Sequence, residues 1–209
     1  MYRDLSHPIE TGMTTFPGDP DVSVQPAATV ETDGYHVSEI HCGSHAGTHI
    51  DAPSHVGFDQ SLDVFDLDRF VFDATVVDCT AFGAREAIDS TVLPDDGGDM
   101  IVFRTGWDDH WGTSRYLDHP YLSVDCVNRC LDAGWSVGID TLNPDPTPSA
   151  NATDAPEGVP AHRALLGEGL LIVENLTNLA GLDRCRLFAV PLSLPEGNGS
   201  PVRAFACER

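Results

Sequence analysis

The chain has 209 residues and carries 33 acidic against 11 basic side chains, a formal net charge of −22 at pH 7. That length is enough to bury a hydrophobic core within one domain, residues 1–209. The acidic surplus argues against nucleic acid or anionic membrane as a partner, and no run of about 18 apolar residues offers a membrane span.

Taken in order, residues 4–9 read as a short strand or turn, and residues 12–20 hold too much Gly and Pro for regular structure. Val22, Val24 and Val30 mark a strand over 22–30, and 35–42 alternates as another. Residues 62–67 form a short surface segment, 72–79 a buried strand, 85–88 a helical turn and 100–105 a core strand. Val124, Val127 and Leu131 repeat at helical spacing and stop at Gly134. Strands follow at 135–140, 170–174, 186–192 and 202–206, with a helix at 162–166. The Pro- and Asp-rich loop over 143–160 is placed to cover something. No repeat or linker divides the chain, so the class is α/β or α+β with a mixed sheet.

Residues 44–55 concentrate more chemistry than any other segment. His45, His49, Asp51 and His55 fall within twelve residues, punctuated by Gly47 and Pro53. Gly47, Thr48, Ile50 and Pro53 disfavour a helix. In extended backbone His49 and Asp51 share one side, and a bend at Gly47 brings His45 round to them. Imidazole and carboxylate suit a divalent transition metal, and three protein ligands plus a water make an open, catalytic arrangement. His55 lies just beyond, and the unperturbed pKa of an imidazole suits it to moving a proton. Trp107, Trp111 and Phe58 read as core residues rather than pocket walls.

The six cysteines form an even set, but a cytosolic chain of this size needs no disulfide staples. Cys126 and Cys130 share a helix face, and Cys42 reads as a small buried thiol near the histidines. Met1-Tyr2-Arg3-Asp4 lacks the basic-then-apolar layout of a signal peptide, which points to the cytoplasm.

The run Gly43 to His55 resembles the H-x-G-T-H-x-D-A-P-x-H signature of the cyclase-like metal-dependent hydrolases, the family of bacterial kynurenine formamidase and isatin hydrolase. The likeness extends over nearly the whole chain. Phe16-Pro17-Gly18-Asp19, Arg104-Thr105-Gly106-Trp107, Gly138-Ile139-Asp140-Thr141, His162-Arg163-Ala164-Leu165-Leu166 with Glu174-Asn175-Leu176, and Gly199-Ser200-Pro201 follow in the family's order.

The resemblance implies an α/β single domain, a mixed sheet flanked by a few helices in a swivelling β/β/α arrangement. It also implies two divalent ions per subunit, zinc ahead of manganese. His45, His49 and Asp51 would hold the first; Asp51 and His162 would hold the second, with Glu174 contacting both. His55 would give and take the proton as a metal-held hydroxide attacks an amide. Phe16 stands where relatives often carry Trp, facing an aromatic substrate, and keeps the ring but loses an indole N–H. The implied activity is hydrolysis of N-formyl-L-kynurenine by a homo-oligomer. A cyclic amide such as isatin, a cyclase-type dehydration, or a non-catalytic metal-binding role are the alternatives.

All eleven basic residues are arginine, and the acids are dispersed along the chain. In dilute salt such a charge strains the folded state by self-repulsion, which points to a salt-accumulating cytoplasm. Stability against unfolding is therefore expected to rise toward molar KCl, where the Debye length shrinks to roughly 3 Å. Equal stability in low and molar KCl overturns this reading.

Overall fold

The structure is a computed structural model describing residues 1–151 and 158–208. From the N-terminus run β1 (Tyr2–Asp4), β2 (Ser23–Ala28), α1 (Val30–Asp33), β3 (Val37–His41) and β4 (His49–Asp51). The middle holds β5 (Val71–Asp78), β6 (Ala87–Ile88), β7 (Met100–Arg104), β8 (Tyr121–Leu122), α2 (Val124–Ala133) and β9 (Ser136–Ile139). The remainder is α3 (Pro160–Gly167), β10 (Ile172–Glu174), β11 (Arg184–Phe188), β12 (Gly199–Pro201) and β13 (Phe205–Glu208).

Nine strands form one mixed sheet in the order β1-β13-β11-β5-β7-β9-β10-β4-β12. Its centre, β5-β7-β9-β10, is parallel, and both flanks are antiparallel. Parallel strands are covered on both faces and read as continuous apolar runs; Met100, Ile101, Val102 and Phe103 of β7 are all fully buried. Side chains alternate between faces, so Met100 and Val102 join one core while Ile101 and Phe103 join another. The second core lies beneath α2 and α3 (Cys126, Val127, Cys130, Leu165, Leu166). The first gathers Ile50, Ala74, Val173, Leu187 and Ala206, from β4 at one flank to β13 at the other, which requires the sheet to curl around it. The fold is thus the single-domain mixed-sheet α/β architecture expected.

Helix α2 has its expected bounds. Ser123 caps it by accepting from the Cys126 N–H, and Gly134 closes it in the left-handed conformation at φ 71°. Its buried face is Cys126, Val127 and Cys130, however, and Val124 faces outward. Three other expectations are corrected. Residues 85–88 are no helical turn: Arg85 sits at φ 56° and Ala87–Ile88 pair in parallel with β8. The segment at 62–67 is not all surface, because Leu62 enters the first core. The final segment splits in two, since β12 pairs with β4 while β13 pairs with β11 and β1. Pro201 is accommodated because β12 is the sheet edge, where a missing N–H costs little.

The loop after β9 packs inward along its described part, with Asn143, Asp145 and Thr147 buried; residues 152–157 lie outside the described set. His119 anchors it. Its Nδ1 donates to the Pro120 carbonyl at 2.8 Å and its Nε2 accepts from Thr147 Oγ1 at 2.7 Å, while Asn143 Nδ2 donates to that same hydroxyl at 2.8 Å. Burial pushes the His119 pKa down to about 4, so the ring is neutral in this network.

The β2–β3 ribbon stands apart from the large sheet. Every residue of β3 is exposed, and Val30, Tyr35, Val37 and Ile40 present apolar side chains to solvent. A two-stranded ribbon alone is marginally stable in water. All six cysteines are free thiols. Among the described residues, no helix is long and apolar enough to cross a membrane.

Candidate functional site

β4 carries the centre of the site because it is paired along both edges. Against β10 the register sets His49 opposite Glu174, and against β12 it sets Asp51 opposite Gly199. The turn before it, with Gly47 at φ 63°, swings His45 back over the strand. His45 Nδ1 lies 2.7 Å from Asp51 Oδ1, and His49 Nε2 lies 3.3 Å from the same oxygen. Across the register His49 Nε2 is 3.2 Å from Glu174 Oε2. Helix α3 adds His162, whose Nε2 is 3.0 Å from Glu174 Oε1 and 3.6 Å from Asp51 Oδ2.

The five groups form two overlapping sets that share Asp51. His45, His49 and Asp51 make one; Asp51, His162 and Glu174 make the other, and donor atoms within each set lie within 4.8 Å of one another. Burial alone would raise the Asp51 pKa, but His49 and His45 more than offset it and hold the carboxyl well below the usual range. His49 shows the reciprocal effect: burial lowers its pKa, yet Asp51 and Glu174 raise it to about 10. Three buried atoms, His45 Nε2, Asp51 Oδ2 and Glu174 Oε1, make no hydrogen bond. Buried polar atoms are rarely left so, and nitrogen and carboxylate oxygen at this spacing are the donor set of a divalent metal.

His55 follows on the turn of 3-10 helix Pro53–Val56. Its ring centre is 4.0 Å from that of His45 and 5.6 Å from that of His162, and the side chain is exposed at the opening. Desolvation lowers its pKa, Asp51 opposes this, and His45 and His162 add to the lowering. A cavity of about 190 Å³ opens over these groups, walled by Phe16, Leu142 and Val159, with Asp19 and Asn143 also lining it. Six of the seven residues singled out in the sequence therefore line one cavity, and the seventh, Asp51, lies fully buried beneath them against His45, His49 and His162. Trp107, Trp111 and Phe58 are not among its walls: Trp107 is buried with Tyr116 and Leu142 and Trp111 is half-buried on His7 at 4.0 Å, but Phe58 is not core, since it lies exposed against Gly167.

Three residues that the sequence reading gave no role of their own position these groups. Asp145 Oδ2 meets His162 Nδ1 at 2.7 Å, and its two oxygens accept the Ala161 and His162 N–H groups that open α3. Val159, at the N-cap position, offers no side-chain cap, so Asp145 acts as a remote one. Asn175, left-handed at φ 54°, donates from Nδ2 to the Gly47 carbonyl at 2.9 Å, and His49 Nδ1 donates to that carbonyl at 2.8 Å. Gly199 faces the His45 ring so closely that a Cβ there would fall 2.3 Å from Cε1. The available signals were weak: an Asp in a Pro-rich loop, an Asn after a strand-end acid, a Gly near the C-terminus.

Comparison with known proteins agrees with this geometry. The family profile described as "Putative cyclase" matches residues 3–146. A kynurenine formamidase of Salinibacter ruber is 32% identical, covering 96% of this chain and 94% of its own. Another from Bacillus cytotoxicus is 30% identical, covering 98% and 96%. Among solved structures, an isatin hydrolase bound to the product analogue thioisatinate superposes with a TM-score of 0.87 at 23% identity, over 100% of this chain and 92% of that one. A potential metal-dependent hydrolase with cyclase activity gives 0.80 at 25% identity, over 100% and 98%.

Replacing Asp145 by Asn keeps an acceptor for the α3 N–H groups but removes the charge behind His162. Loss of such a partner weakens metal binding by about 10–100-fold. Zinc titration calorimetry of Asp145→Asn is expected to show a loss in that range with the circular dichroism unchanged; unaltered affinity refutes the orienting role.

Proposed function

The chain belongs to the cyclase family of metal-dependent hydrolases, and from that premise we propose that it hydrolyses N-formyl-L-kynurenine to L-kynurenine and formate. The observation that carries this reading is the convergence of three imidazoles and the Glu174 carboxylate on Asp51, with three buried atoms of the cluster lacking a hydrogen-bond partner. Two relatives named kynurenine formamidase, at 30% identity or above over nearly the full length, support the choice of substrate.

In this proposal His45, His49 and Asp51 would hold one divalent ion and Asp51 and His162 a second, with Glu174 contacting both, zinc ahead of manganese. Ions held there supply Lewis acidity that polarises a carbonyl oxygen and makes hydroxide available at neutral pH. The chain's own groups do the rest. Glu174, fixed by strand register, lines the cavity, and Asp51 on the neighbouring strand turns its oxygens to the three imidazoles. Asp145 and the Gly47 carbonyl hold His162 and His49 by Nδ1, which leaves each Nε2 turned to the acids. His55 accepts the proton of the attacking water and returns it to the departing nitrogen, so the amine leaves neutral. Phe16 gives the substrate ring a face to lie on, and Leu142 and Val159 exclude water around it.

The protein is further proposed to act in the cytoplasm, as one hydrolase domain over residues 1–209, and as a homo-oligomer. The exposed apolar residues of the β2–β3 ribbon support a second copy of the chain as the partner covering it. Sedimentation velocity is expected to show a dimer or tetramer that Ile40→Asp dissociates; a monomeric wild type refutes this.

Activity is tested against N-formylkynurenine, isatin and formanilide. N-formylkynurenine is expected to be the preferred substrate, with turnover lost on chelation and restored by zinc or manganese. Preference for isatin, or bound ions without any hydrolysis, overturns the assignment. His55→Ala is expected to keep its ions and lose about 10²–10⁴-fold in kcat/KM; normal turnover refutes its role.

A further inference from the structure

Asp19 lines the cavity, yet neither the metal set nor the proton transfer uses it. Its position is fixed by a turn. The Asp19 N–H donates to the Phe16 carbonyl at 3.0 Å, and Gly18 takes the third position at φ +104°, which favours glycine. Pro17 presets the second position. The first and fourth residues of such a turn are neighbours, so the Phe16 ring and the Asp19 carboxylate share one wall. Phe16 is held there by the small core of Trp107, Tyr116 and Leu142.

Away from the metal set, the polar side chains of this wall are those of Asp19 and Asn143. Asn143 is already committed: Nδ2 donates to Thr147 Oγ1 at 2.8 Å and Oδ1 accepts the Asp145 N–H at 2.7 Å. Asp19 is exposed, and its carboxylate has no hydrogen bond or ion pair among the described residues. No Arg lines the cavity. The outer pocket thus offers an aromatic face beside one free negative charge.

We infer that Asp19 is a specificity residue that pairs with an ammonium group on the substrate, so that the enzyme selects aryl amides bearing a cationic amine arm. This rests on the amidohydrolase reading above. The ring lies against Phe16 with the scissile amide toward His55, and the amine arm reaches Asp19 at the opening. A charge-assisted hydrogen bond of this kind is among the stronger polar contacts.

The test compares N-formylkynurenine with 2-formamidoacetophenone, the same aryl formamide and ketone without the amino-acid arm, on the zinc-loaded enzyme and on Asp19→Asn. The substitution is expected to cost about tenfold or more in kcat/KM on N-formylkynurenine, mainly through KM. The acetophenone is expected to change less than about twofold, within what an uncharged contact contributes. Equal loss on both compounds, or no loss on either, overturns the inference. Wild-type enzyme that turns over neither compound defeats the amidohydrolase reading instead. The pairing is then read by calorimetry of L-kynurenine against 2-aminoacetophenone: a preference for L-kynurenine that Asp19→Asn abolishes upholds it, and an unchanged preference refutes it.

Discussion

A carboxylate with no access to water governs this structure. Asp51 is fully buried, and an ionised carboxyl in that position is tolerated only with charged or hydrogen-bonding partners. Those partners come from three places: His45 from the preceding turn, His49 from the same strand and His162 from α3. The chain must therefore deliver a turn, a strand and a helix to one point. Double-edged pairing of β4 with β10 and β12 provides the rigid frame on which they meet.

Asn175 ties that frame together. It ends β10 in a left-handed conformation that Asn tolerates better than most residues. Its carbonyl accepts from Thr48 Oγ1 at 2.6 Å, its amide donates to Gly47, and Tyr116 donates to its side-chain oxygen at 2.8 Å. One residue thus couples the strand-end Glu174, the histidine turn and the small aromatic core behind Phe16. The loop of 143–149 does similar service for His162, buttressed from below by neutral His119.

The parts legible in the sequence were those whose signal is local. Residues 45–55 announce themselves by spacing alone, and α2 by its period and terminal Gly. The strands β5, β7 and β9 show as apolar runs because both their faces are buried. What escaped depends on register between distant segments. Gly199-Ser200-Pro201 carries no strand pattern of its own, and only pairing with β4 makes it strand. Ala87–Ile88 is too short for a period to appear, and its identity comes from β8. Val124 fits the helical pattern yet faces solvent, and the face that α2 buries is Cys126, Val127 and Cys130. Asp145 and Asn175 act through bonds to backbone groups far away in sequence, a contact no composition encodes. His162 and Glu174 were found through family likeness, since neither carries a local signature.

The pairing scheme also sets an order of events during synthesis. The histidine segment lies in the first quarter of the chain, but one edge of β4 is closed by residues 199–201, and β1 is held by β13 at residues 205–208. Such long closures are slow steps and come late. The cluster around Asp51 therefore stays unfinished until residues 162–174 and 199–201 have been made and have docked. An assembled cluster thus certifies that β10 and β12 have docked on β4.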